Sequence, residues 1–505
     1  MKRTEFPRTT PEEAGISSSA ILRLLDRLES GFTEMHGIQI MRHGSICAEG
    51  WWSPYAPGLR HSLMSVSKTY AATAVGLACT EGRLRLTDRV IDIFPDQSPA
   101  HPDALLQKLT VRDVLCMGSG MESMPSPTAD WIRDFLATRV EHAPGTRFMY
   151  NSVGSSLLGA IVRQVSGQGL HAYLKPRLFD KIGIIADNLR WGRMPDGLEA
   201  GGAGLYATTE DTLRLMKLYA DGGVWDNERI LSEEYVRLAT SKQIDTNVEA
   251  DKYPFAKDNF CGYGFQMWMC RPEGVYRADG AMGQFSVVFP KQDMIISINE
   301  TGRGIDGPQK TLDALWAFLD EVPETNALPP SPDTCAHLQK RLASLSLPRP
   351  SYRPYSAKAS EINGRRFAVT DGALHLENQT LSLFCGTKLS RGISEFAFHF
   401  SQGDCVMSFV QDETPYTVGI AMDGSRAQSK LVICDEVATR ICLSGAWILE
   451  NTFAVKARWI ETSFEKDILF SFTGKGSCSI TTYDPLMSFG PSGELNEAPV
   501  TASVI

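Results

Sequence analysis

The sequence predicts an α+β domain followed by a small all-β domain, on three observations. Its 505 residues exceed what one hydrophobic core supports, since single cores seldom grow past about 250–300 residues. As far as Glu321 the signals run helix, hairpin, long helical insertion, three strands and helix, the order of an antiparallel sheet covered by its terminal helices. Beyond Gly364, short alternating runs recur between turn residues, as in a sandwich or barrel.

Taken in order, Ile16 to Glu29 carries Ile21, Leu24, Leu25 and Leu28 at helical spacing behind a serine cap. Gly37–Met41 and Ser45–Trp51 flank His43-Gly44 and read as a hairpin. Helical signals and Gly/Pro loops then extend to about Leu238. Strand signals return at Gly274–Ala278, Phe285–Phe289 and Met294–Ile298. Gln309–Glu321 aligns Leu312, Leu315, Trp316 and Leu319 on one stripe, a closing helix.

Seven prolines between Pro323 and Pro354 suggest a linker with one short helix around His337–Ala343. Alternating runs at Ala373–Leu376, Ala397–Phe400 and Thr452–Ile460 supply strands of the last domain. The expected organisation is a first domain over 1–325, a Pro-rich linker over 326–358 and an all-β domain over 359–505.

Composition narrows the function classes. A net charge of −9 leaves no basic stripe for nucleic acid or an anionic membrane. No apolar run reads as a signal-peptide core or a transmembrane span. The odd set of 11 cysteines contains no C-x-x-C pair and several lie in apolar stretches, so buried reduced thiols and a cytoplasmic location are expected.

Three elements carry chemistry. Ser65-Val66-Ser67-Lys68 opens a segment, Thr69–Thr80, that is apolar nearly all round and so reads as a buried helix ended by Gly82. At spacing i, i+3 the Lys68 amine can reach the Ser65 hydroxyl, and burial disfavours its charged form. Ser65 at a helix start also offers its own N–H to a developing oxyanion. The pattern alone is weak, because Ser463-Phe464-Glu465-Lys466 repeats it without a buried helix behind it. Tyr150-Asn151-Ser152 precedes the apolar helix Leu157–Val165, where a tyrosine can relay a proton or simply pack. Ala278-Asp279-Gly280-Ala281 ends a predicted strand, where a glycine lets a substrate lie against the backbone, although a plain glycine turn reads equally well.

In this order the three elements resemble those of serine β-lactamases and penicillin-binding proteins, with Tyr150-Asn151-Ser152 similar to the Tyr-x-Ser version of class C-like enzymes and family VIII esterases. Connecting segments such as Leu109–Leu115, Pro144–Phe148 and Gly201–Leu205 extend the resemblance over about residues 10 to 320. It implies a β-lactamase-like antiparallel sheet with flanking helices and an inserted helical lobe, and a C-terminal barrel similar to the lipocalin-like modules of D-aminopeptidase relatives. It further implies Ser65 as nucleophile, Lys68 and Tyr150 as proton carriers, and Ser152, Asn151, Asp279, Gly280 and Ala281 at the substrate or oxyanion.

The chain departs from the family at Ala278, where Lys or His usually meets a substrate carboxylate. The function expected is therefore hydrolysis of small esters or amides through an acyl-enzyme. A β-lactamase or D-amino-acid peptidase, or a catalytically silent binding protein, are the alternatives. No metal or organic cofactor and no nucleic-acid or membrane partner is expected; homo-oligomerisation stays open.

Overall fold

In the computed structural model the first helix, α1 (Ser18–Glu29), starts where the Ser17 side chain accepts the N–H of Ala20, and it buries Ile21, Leu24, Leu25 and Leu28. The structure describes residues 5–30, 33–249, 254–303, 306–351, 353–377, 390–433, 437–474, 476–483 and 500–505. The chain divides into two compact units, the first running to Leu345 and the second beginning at Ser346.

The first unit is built on a six-stranded sheet. Strands β1 (Thr33–Arg42) and β2 (Ser45–Trp51) form the expected hairpin. Two residues, His61–Ser62, make the short strand β3, and helix α2 follows over Ser67–Thr80. The inserted lobe continues through α3 (Ser152–Ser166), β4 (Leu205–Ala207) and α4 (Thr209–Ala220). The sheet is completed by β5 (Trp268–Met269), β6 (Tyr276–Gly280), β7 (Gln284–Phe289) and β8 (Met294–Gly302), then α5 (Gly307–Leu319) closes it.

Spatial order is β2-β1-β8-β7-β6-β5 with every pair antiparallel, so the hairpin returns to pair with β8 across the whole insertion. All residues of β7 and β8 are buried, because both faces are covered. Helix α4 lies across β7 and β8, while α1 and α5 pack on each other and on β1. Helix α2 packs on α3 and is covered on its other sides by Phe179, Leu205, Tyr219 and Tyr235, so every residue from Ser67 to Ala78 is buried.

The Pro-rich stretch holds a longer helix than its sequence suggests, α6 (Pro332–Ala343), with proline in the first turn. It buries Cys335 and Leu338, packs on α1 and β2, and pairs Arg341 with Glu29. The apolar stripe, not the proline count, decides its fate.

The second unit is a closed antiparallel barrel. Nine described strands between Arg366 and Val504 follow one another in the sheet, and a parallel contact of Ala421 with Ser444 closes the ring; the strand Ala427–Lys430 pairs with Arg440–Trp447 on that closing edge, where Ser429 Oγ accepts the Gly419 N–H at 3.2 Å. Phe367, Phe396, Phe398, Phe453, Phe470 and Phe472 pack ring to ring and fill it. Ala373–Leu376, expected as a strand, is irregular: Leu374 and Leu376 are buried at alternate positions without a ladder of their own. Alternation reports burial here, and a ladder needs a partner as well. The nine described cysteines are free, and among the described residues no helix is long and apolar enough to cross a membrane.

Candidate active site

Ser65 does not sit in α2 but on a 3-10 turn, Met64–Val66, immediately before it. Met64 takes a left-handed backbone with φ +49°, a conformation that costs a non-glycine residue about 1–3 kcal/mol and persists only where its surroundings impose it. Ser67 supplies that constraint. Fully buried, it donates to the Met64 carbonyl at 2.6 Å and accepts the Leu205 N–H of β4 at 2.9 Å.

Lys68, in the first turn of α2, is 1% exposed. Its amine donates to Ser65 Oγ at 2.9 Å, to Ser152 Oγ at 3.1 Å and to the Gly202 carbonyl at 2.5 Å. It also lies over the Tyr150 ring, 4.9 Å from the centroid. The Tyr150 hydroxyl is hydrogen-bonded to Ser65, and removal from water holds the phenol well above its ordinary range, so it is neutral at physiological pH. Tyr150 stacks on Trp268 at 5.7 Å and meets Tyr263 edge-on, contacts that fix the ring.

Asn151 lies behind this group and faces the helix. At 2% exposure it caps α3, its side chain accepting the Gly154 N–H at 2.8 Å. Ser152, the first residue of α3, turns its hydroxyl to Lys68.

The end of β6 completes the group. Gly280 passes so close to the chain ahead of Ser65 that a Cβ there would lie 2.3 Å from the Leu63 carbonyl oxygen, which draws Gly280 and Ala281 alongside the turn of Ser65. Asp279 accepts from Arg277 Nε at 2.7 Å and feels the charge of Lys68. Burial pushes its carboxyl up, against the pull of Arg277 and Lys68. Arg277 is fully buried and also donates to Asn259 Oδ1 at 2.7 Å and to the carbonyls of Asp258 and Met269. Ala278, between them, is 0% exposed and touches no solvent.

Ser65, Lys68, Tyr150, Ser152 and the Asp279–Ala281 strand end therefore meet in one place. Sequence reasoning missed Ser67, Met64 and the Gly202 carbonyl; the Gly201-Gly202 pair was the available signal, since two adjacent glycines invite close backbone approach. The other S-x-x-K copy runs through a turn into the strand Glu465–Thr473, where positions three apart face opposite ways, and Lys466 donates to the carbonyl of His375 at 3.3 Å.

A buried amine and a phenol bonded to one serine, on an antiparallel sheet with a helical insertion, define a serine hydrolase of the S-x-x-K kind. The chain belongs to the β-lactamase family, whose model, described as Beta-lactamase, matches residues 25–318, more than half of its length. It is 25% identical over 317 residues to the 6-aminohexanoate-dimer hydrolase of Paenarthrobacter ureafaciens, covering 57% of this chain and 78% of that one. Penicillin-binding protein 4 of Amycolatopsis lactamdurans is 26% identical over 276 residues, 47% of this chain and 71% of the relative. An Escherichia coli (strain K12) protein named as a D-alanyl-D-alanine carboxypeptidase is 24% identical over 36% of this chain, which spans only 56% of that relative. A Bacillus anthracis structure named for the dimer hydrolase shares the fold, with a TM-score of 0.51 at 18% identity over 67% of this chain and 89% of that one.

Proposed function

We propose that the protein hydrolyses small esters or neutral amides through an acyl-enzyme on Ser65. The observation that carries this reading is the Lys68 amine, held by Ser65, Ser152 and the Gly202 carbonyl in one buried cluster. With Lys68 in its neutral form, Ser65 Oγ attacks the substrate carbonyl while its proton passes to Lys68, and the neutral Tyr150 phenol protonates the leaving group and regains its proton from Lys68. Water then attacks the acyl carbon, the ester bond to Ser65 breaks, and the acid leaves with the serine hydroxyl restored. The N–H groups of Ser65 and Ala281 serve the oxyanion, since Gly280 brings the two chain segments together.

Substrate class follows from charge. Arg277 is fully buried and directs its guanidinium at Asp279, Asn259 and two carbonyls, so it is held away from a substrate carboxylate. Asp279, whose side chain is 21% exposed beside Lys68, would repel one. A β-lactam or peptidyl-D-alanine carries that carboxylate; a short ester does not. Hydrolysis of p-nitrophenyl butyrate and nitrocefin by one preparation, with a fluorophosphonate label mapped by peptide, tests the reading. The expected result is label on Ser65 and a kcat/KM at least about tenfold higher for the ester, the margin that one lost charge-assisted contact gives. Label on another serine, or nitrocefin as the better substrate, refutes it.

A further inference from the structure

Two buried histidines outside the reacting group form a hydrogen-bonded chain that ends on the backbone just ahead of Ser65. His36 and His61 are 1% and 3% exposed. His36 sits at a bulge in β1, where the pairing with β8 shifts between Met35 and Gly37, and such a bulge re-aims a side chain out of strand alternation. Its Nδ1 lies 2.9 Å from His61 Nε2, and its ring stacks on Tyr55 at 3.8 Å between centroids. His61 Nδ1 lies 2.9 Å from the Ser62 carbonyl oxygen. Ser62 is followed by Leu63, the left-handed Met64 and Ser65.

Proton bookkeeping along this chain has one solution at its Ser65 end. A carbonyl only accepts, so His61 carries its proton on Nδ1. In a neutral ring Nε2 then accepts, and His36 Nδ1 is the donor. At the far end His36 Nε2 has two neighbours of opposite kind, the Thr301 hydroxyl at 3.2 Å, which can donate, and the Glu34 carboxylate at 3.3 Å, which can accept.

We propose that His36 and His61 are positioning residues that hold β3 and, through the Ser62 carbonyl, keep the strained turn of Ser65 in its reactive geometry. The inference rests on Ser65 being the nucleophile. They touch no reacting atom, but a displacement of about 1 Å at a nucleophile costs on the order of a hundredfold in rate.

The test compares His61→Phe, which removes both ring nitrogens, with His61→Asn, whose amide keeps a donor near the Nδ1 position. Expected for His61→Phe is a fall of about ten- to hundredfold in kcat for p-nitrophenyl butyrate, with KM changed less than about twofold and fluorophosphonate labelling slowed by the same factor. His61→Asn should recover most of that rate. Should His61→Phe fail to fold, His61→Gln, whose amide lies near the Nε2 position, takes its place with the same expectation. Wild-type labelling rates in the variant lacking the Ser62 bond, or no recovery in His61→Asn at equal Tm, overturn the proposal. Label on a serine other than Ser65 in the unmodified protein instead defeats the functional reading beneath it, so the two failures are distinguishable.

Discussion

Gly202 is the residue whose substitution most directly tests how Lys68 is held. An alanine Cβ at that position would lie 2.3 Å from the Ser152 carbonyl oxygen and 3.1 Å from both the Ser152 carbonyl carbon and Ser156 Oγ. The nearest atom is backbone at the start of α3, so the loop carrying Gly202 has to yield. Overpacking of this kind costs about 1–3 kcal/mol of stability. Yielding also withdraws the Gly202 carbonyl from the Lys68 amine, and a bond of that type is worth about 0.5–3 kcal/mol according to its charge. At about 1.4 kcal/mol per tenfold, kcat/KM for p-nitrophenyl butyrate should fall by up to about a hundredfold in Gly202→Ala, with a lower Tm. Gly58→Ala, where a Cβ meets nothing within 4 Å, is the control and should match the wild type in both. A Gly202→Ala enzyme within twofold of wild-type kcat/KM would refute the argument that this carbonyl organises the lysine.

Ser65→Ala should abolish fluorophosphonate labelling and turnover while leaving the thermal transition almost unchanged, because only a hydroxyl on a turn is lost. Ser463→Ala should hydrolyse p-nitrophenyl butyrate at the wild-type rate; a large loss at unchanged Tm would transfer the chemistry to the other S-x-x-K copy. Tyr150→Phe should lower kcat by about a hundred- to ten-thousandfold, measured with esters of poor leaving groups, which need the proton most. In the barrel, burial opposes the charge on Glu377, yet bonds from His375 and Ser390 hold its carboxyl down to about 2 from an ordinary 4.5. A lowered folded value means that the stabilisation, at most about 3 kcal/mol, is complete above about pH 4.5 and lost as pH falls toward 2. Acid titration of Glu377→Gln should therefore show a flatter loss of stability than the wild type below pH 4.5.

The strongest local patterns in the sequence carried over well. Helix α1, the hairpin and the three strands before α5 lie where periodicity places them, because each has one face or both faces committed to a core. The meeting of Ser65, Lys68 and Tyr150 was legible only through the resemblance, since Tyr150 is 85 positions from Ser65 and no local spacing joins them. What stayed hidden is of two kinds. Ser67, Gly202 and the His36–His61 chain act through contacts between distant segments, which a linear pattern does not display. Ala373–Leu376 misled because alternating apolar residues serve a buried loop as readily as a strand.

The barrel closes on a single paired position, Ala421 with Ser444, whereas its other neighbouring strands share three to eight. A ring with one thin joint behaves mechanically like a rolled sheet with a seam. Parting that joint costs the Ala421–Ser444 pairing and the bond from the Gly419 N–H to Ser429 Oγ but leaves every other ladder intact, so an opening of this unit that stops short of global unfolding would start at the strand Thr414–Ala421. Such an opening would bare an edge strand and the phenylalanines behind it. The strand Ala427–Lys430, which lies at the joint and exposes Gln428 and Lys430, is the kind of short, charged flank that discourages a second chain from pairing there.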